Sequence, residues 1–181
     1  MRGALAHPKS AYYSSGGAVR VKGAFAKLCV AMNQQLVPVL NSAGFSSSDT
    51  PFRREEVRYE FRRRRSEEAE VIAVLFNRKR DPLFSVQLYL EPREGVPAFL
   101  AAGGTLHVAS LSAARTWWPM GVAPFRAAPT LVDRLRGHRV IDVARPIQHC
   151  AALLPHAENW FRDRTRSRYI VDGRLAPGRP A

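Results

Sequence analysis

Residues 57–90 carry three strand-length apolar patterns in succession, and this run limits the fold more than any other feature of the chain. Val57, Tyr59 and Phe61 alternate with Arg58, Glu60 and Arg62, the period of a half-buried strand lying within Phe52–Arg65. Arg62 to Glu68 reads as a hairpin end or exposed loop. Val71 to Phe76 is apolar without a break, as expected of a central strand covered on both faces. Asn77 to Pro82 supplies a turn, after which Phe84, Val86, Leu88 and Leu90 alternate with Ser85, Gln87, Tyr89 and Glu91. Strands that follow one another in this way form an antiparallel meander.

A helix precedes the meander. Val21, Phe25, Leu28, Met32, Leu36, Val39 and Leu40 recur at three- and four-residue steps within Val19–Ser42. Pro38 should kink or end it, Gly44 suits its stop, and Phe45 follows as a contact back onto the helix. Beyond the meander, Ala98–Ala102 reads as one helical turn. Thr105–Leu111 reads as a fourth strand with Leu106 and Val108 inward and His107 outward. A short helix around Leu131–Leu135 follows, and Val140–Val143 fits strand or helix equally. Pro146 opens a helix that runs to Leu154, Pro155 breaks it, and His156–Arg166 makes another. The expected class is α+β: a long N-terminal helix packed on a 3–4 stranded antiparallel sheet, followed by C-terminal helices. Residues 19–170 form one domain between flexible tails at 1–18 and 171–181.

The helix closing in Gly44-Phe45, the strand Tyr59-Glu60-Phe61-Arg62, the apolar strand Val71–Phe76 and the strand Phe84-Ser85-Val86-Gln87-Leu88 together resemble a widespread bacterial family of small α+β proteins of unknown function. Trp117 corresponds to that family's tryptophan after the sheet, and the resemblance covers residues about 24–118. It implies an α+β fold and transfers no catalytic residue. Some such families sit beside toxin–immunity or defence genes, which implies a partner-binding role.

Few chemical motifs are present. The histidines His7, His107, His138, His149 and His156 form no metal-ligand spacing, and Cys29 and Cys150 are too few for a disulfide scaffold or a metal site. No metal or cofactor is expected. There is no G-x-S-x-G, P-loop or G-x-G-x-x-G sequence. A metal-dependent nuclease would draw on Asp81 and Glu91, with Pro92 and Arg93 departing from the usual acid-x-lysine order. Turn residues capping a strand are the plainer reading of these positions. No apolar run approaches the ~20 residues of a membrane span. Met1–Gly17 lacks the apolar core of a secretory signal, so a cytoplasmic location is expected.

Charge is the strongest pointer to a partner. The 181-residue chain has a formal charge of +13, carried by 24 Arg and only 4 Lys. Residues 101–181 hold +7 of it. Guanidinium groups fork onto phosphates and stack on bases. With Val57, Tyr59 and Phe61 in the core, Arg58, Arg62 and Arg64 share the opposite sheet face with Tyr89. Together with Arg63 and Arg65 they make one candidate nucleic-acid surface. Arg162, Arg164, Arg166 and Arg168, on a helix or an extended arm, make the second. A solvated face of cross-strand Arg–Glu pairs is the plainer reading of the first. Trp117, Trp118 and Phe125 are the candidates for a protein interface, which an acidic protein partner would use. The expectation is a non-enzymatic binding protein for nucleic acid, with an acidic protein as the alternative partner.

Overall fold

Apolar side chains at helical spacing build α1 (Ala24–Ser42) in the computed structural model, which describes residues 23–47, 58–65, 68–77, 79, 81–114, 122–127, 135 and 141–175. Phe25, Leu28, Met32, Leu36 and Leu40 are its buried stripe. The helix runs through Pro38, because the proline is exposed and the carbonyl it leaves unbonded can meet water. The stop is a Schellman turn: Gly44 sits at φ +85° and donates to the Asn41 carbonyl at 2.9 Å, while the Phe45 N–H donates to the Leu40 carbonyl at 3.0 Å.

The meander follows as β1 (Arg58–Arg64), β2 (Glu68–Phe76) and β3 (Leu83–Pro92), all antiparallel. Then come α2 (Val96–Ala101), β4 (Leu106–Leu111), β5 (Phe125–Arg126), α3 (Ala144–Asp163) and β6 (Ile170–Leu175). The sheet order is β1-β2-β3-β4-β6, with β5 paired to the first residues of β3.

The architecture is α+β with an antiparallel sheet, but it corrects several expectations. The sheet has six strands, not three or four. β5 is two residues long, too short to show a period. β6 occupies residues assigned to the C-terminal tail, and its pairing to β4 supplies the order that its own sequence does not. The N-terminal helix is not the dominant one, since α1 has 19 residues and α3 has 20. Pro155 does not divide α3, because it too is exposed. Residues 128–134, which take in most of the short helix expected before Leu135, lie outside the described residues, as do the start of the first helix at 19–22 and the N-terminal tail.

One sheet face carries Tyr59, Phe61, Ile72, Val74, Phe84, Val86, Leu88 and Leu111, and α1 and α3 cover it in a single core. Phe25 of α1 meets Phe76 of β2 edge-on at 5.0 Å. Trp160 of α3 is fully buried, the largest side chain in this core; side chains of such size contribute about 3 kcal/mol or more when buried. The opposite face holds a smaller cluster of Val71, Ala73, Tyr89 and Leu106, against which Val96 and Leu100 of α2 pack. β2 is therefore covered on both sides, in agreement with its unbroken apolar run.

Candidate nucleic-acid interface

Alternation along β1 puts Arg58, Glu60 and Arg62 on the face away from α1 and α3. Their partners on β2 are Leu75, Ala73 and Val71, which offer no polar side-chain group. The β1 side chains therefore lean across β2 and reach β3. Arg62 Nε donates to Glu91 Oε2 at 2.8 Å, and Arg58 donates to the Tyr89 hydroxyl at 3.2 Å. Tyr89 in turn donates to Glu60 at 2.8 Å, and Glu60 also accepts from Arg58 at 2.6 Å and from Arg62. Burial of Tyr89, with its bond to Glu60, pushes the phenol up to about 12. Burial would raise the Glu60 carboxyl, but the bonds from Tyr89 and Arg58 and the charge of Arg62 outweigh it and hold the group below its ordinary range. This face is a net of two guanidinium groups and two carboxylates, not an array of unpaired cations. Arg64, exposed at the end of β1, has no ion-pair partner among the described residues.

Arg63 points the other way, toward the helices. It forks onto Glu158 of α3 at 3.0 and 2.6 Å and donates to Glu70 at 2.6 Å and to the Ala43 carbonyl at 2.6 Å. Its guanidinium lies 4.3 Å from the Phe45 ring centre. At φ +85° any residue but glycine is strained at position 44, and a Cβ there would also crowd the Arg63 side chain at 3.2 Å. Arg65 also bonds Glu70, at 2.5 Å, and Glu70 is 1% exposed. Grouping Arg63 and Arg65 with the sheet-face arginines is thus corrected. Odd and even positions of a strand face opposite ways, and these two neutralise a buried acid.

The C-terminal arginines occupy neither one helix nor a free arm. Arg162 lies in the last turn of α3, which ends at Asp163, and Arg164, Arg166 and Arg168 lie in the connection to β6. Arg164 is in the left-handed region at φ 60°, donates to the Trp160 and Phe161 carbonyls at 3.0 and 3.3 Å, and stacks 4.5 Å from the Trp160 ring centre. Arg166 donates to Asp172 Oδ2 at 2.6 Å, and the Trp160 indole donates to Asp172 Oδ1 at 2.9 Å. Arg162 donates to Asn159 at 2.7 Å. Residues 162–172 hold four arginines against Asp163 and Asp172, a local excess of +2 where the sheet-face net sums to zero. A groove of about 470 Å³ opens beside the turn, lined by His107, Trp160, Arg164, Arg166 and Asp172 among others.

The remaining candidates separate. Phe125 is in the core, 1% exposed and stacked 5.0 Å from Phe84, which corrects its placement at a surface patch. Trp117 and Trp118 lie outside the described residues. Asp81 holds the turn before β3 through Asn77, at 2.8 and 2.9 Å, and Glu91 sits at the other end of that ten-residue strand. At about 3.3 Å per residue the two carboxylates are ~30 Å apart along the strand, too far to share metals. Among the described residues no three potential ligands cluster in a way that could hold a metal ion, and no helix is long and apolar enough to cross a membrane.

Sequence reasoning did not anticipate His107, Trp160 and Asp172 as parts of one site. The only signal was the alternation of Ile170 and Asp172 with Val171 and Gly173, which arginine and glycine obscure. Comparison with known protein families, characterised proteins and solved structures found no match to the chain.

Proposed function

We propose that the chain is a non-enzymatic nucleic-acid-binding protein of the bacterial cytoplasm, a subunit of a nucleoprotein or defence complex, that grips phosphates through the Arg162–Arg168 turn. One observation carries the reading. Residues 162–172 set four exposed arginines against two carboxylates, Asp163 and Asp172, whereas Arg58, Arg62, Arg63 and Arg65 of the sheet are matched by Glu60, Glu91, Glu70 and Glu158. A stretch whose cations outnumber its acids attracts a polyanion, and guanidinium donors satisfy phosphate oxygens in pairs.

The test is fluorescence anisotropy with labelled single-stranded DNA, duplex DNA and RNA at about 50 and 200 mM salt. Four phosphate contacts on duplex DNA predict a log–log salt slope near −3.6, roughly a 100-fold loss across that range. Replacing Arg162, Arg166 and Arg168 together by alanine should flatten the slope by up to about three, and Arg62→Gln should leave it unchanged. No binding at low salt, or a slope that responds to Arg62 and not to the turn, refutes the proposal.

A further inference from the structure

The groove beside the turn is built before any ligand arrives. Arg164 is the only non-glycine residue with positive φ among those described, in a region that residues with a Cβ rarely adopt. Its guanidinium holds the backbone there by bonding two carbonyls of the last turn of α3 and stacking on Trp160. Those bonds engage Nη1, and Nε and Nη2 have no hydrogen-bond partner among the described residues. Arg166 uses Nε on Asp172, leaving both Nη groups without one. Asp172 has both oxygens occupied, by Trp160 and by Arg166, so it is not an open acceptor that would repel an incoming anion unscreened. His107, exposed on β4, adds ring nitrogens on the third side.

Unused donors on a fixed arginine, an anchored arginine and a histidine in one concavity describe a site for an anion. Its size defines the anion further. About 470 Å³ lies within the ~300–1,000 Å³ of small-ligand clefts, room for a nucleotide-sized group. A phosphate monoester carries about −1.5 to −2 at neutral pH, against −1 for a backbone diester, and exposes three acceptor oxygens. We infer that this groove receives a terminal phosphate, the monoester of a nucleotide or of a nucleic-acid end. The inference rests on the nucleic-acid reading for the source of the phosphate and on the groove for its chemistry.

Three fluorescently labelled single-stranded oligonucleotides of one sequence test it, bearing a 5′-phosphate, a 3′-phosphate or neither, with adenosine monophosphate as competitor. One phosphorylated end should bind about tenfold more tightly than the unphosphorylated strand, the worth of a charge-assisted hydrogen bond. Adenosine monophosphate should remove that advantage and leave the rest of the binding. Arg166→Ala should cut the preference below about twofold, and His107→Ala should reduce it in part. The His107 side chain has no hydrogen bond to lose among the described residues, and the variant keeps the backbone pairing of β4 with β6, which its melting curve verifies. Equal affinity for all three strands, with the salt dependence intact, overturns the groove and leaves the proposed function standing. Binding of adenosine monophosphate in calorimetry with no binding of any strand supports a monoester site for free nucleotides and overturns the nucleic-acid reading instead. The absence of both an end-phosphate preference and nucleotide binding overturns the inference.

Discussion

Replacing Arg63 with methionine should destabilise the protein by about 4 kcal/mol, although arginines adjoin it on both sides. Glu70 is 1% exposed, and Arg63 is one of two cations that compensate its charge. Removing one partner of a buried ion pair costs about 3–5 kcal/mol. Arg65 stays 2.5 Å from Glu70 but its side chain is 57% exposed, so its help is partial and sets the loss near the lower end, ~3 kcal/mol. The bond to the Ala43 carbonyl and the stacking on Phe45 disappear as well, adding about 1 kcal/mol. Methionine keeps the aliphatic stem, so packing changes little.

At roughly 2–4 °C per kcal/mol for a chain of this size, Tm should fall by about 8–16 °C. Urea denaturation followed by circular dichroism and tryptophan fluorescence gives the free energy. Arg64→Met is the control, since Arg64 has no ion-pair partner among the described residues and should change stability by no more than about 0.5 kcal/mol. Adding Glu70→Leu to Arg63→Met should recover most of the loss, because no charge is then left buried. A loss under about 1 kcal/mol, or equal losses at positions 63 and 64, refutes the assignment of Arg63 to the interior.

Glu60 sits below its ordinary value of 4.5, so the folded state binds its proton less readily than the unfolded chain does. Its contribution to stability is present above 4.5 and is lost as pH falls through the lower folded value; acid titration of unfolding should show Glu60→Gln flattening that limb. Tyr89 is shifted the opposite way, to about 12, so its contribution holds below 10 and fades as pH rises toward 12. An ultraviolet titration should show a late phenolate step that Tyr89→Phe abolishes. The Cys150 thiol is buried and pushed up to about 12, so a thiol reagent at neutral pH should react with it only after denaturant is added; fast reaction in the native protein contradicts its burial.

The meander was legible because its segments carry clear periods. Tyr59 and Phe61 inward with Arg58 and Arg62 outward is a statement about one strand, and strand geometry obeys it locally. The same alternation brought Tyr89 to the face of Arg58 and Arg62, where the structure places it. What each arginine does there was not legible. Arg62, Arg63, Arg64 and Arg65 are identical letters in a row, yet one reaches Glu91 on β3, two converge on Glu70 and one stands in solvent. Those outcomes depend on the register of β1 with β2 and on where α3 lays Glu158, both long-range facts.

Pro38 and Pro155 show the same division. Local preference marks each as a break, but each sits on an exposed helix face where one lost hydrogen bond is offset by burial on the other side. The period of α1, the Gly44 stop and the three strands of the meander follow from the geometry of a few neighbouring residues, and the excess of arginine is a matter of composition. That Ile170–Leu175 is a strand, that Phe125 is core, and that His107, Arg164, Arg166 and Asp172 share a groove emerges from long-range packing alone. Such facts depend on which distant backbone offers hydrogen bonds and which charges lie within reach, and no local period in the chain records either.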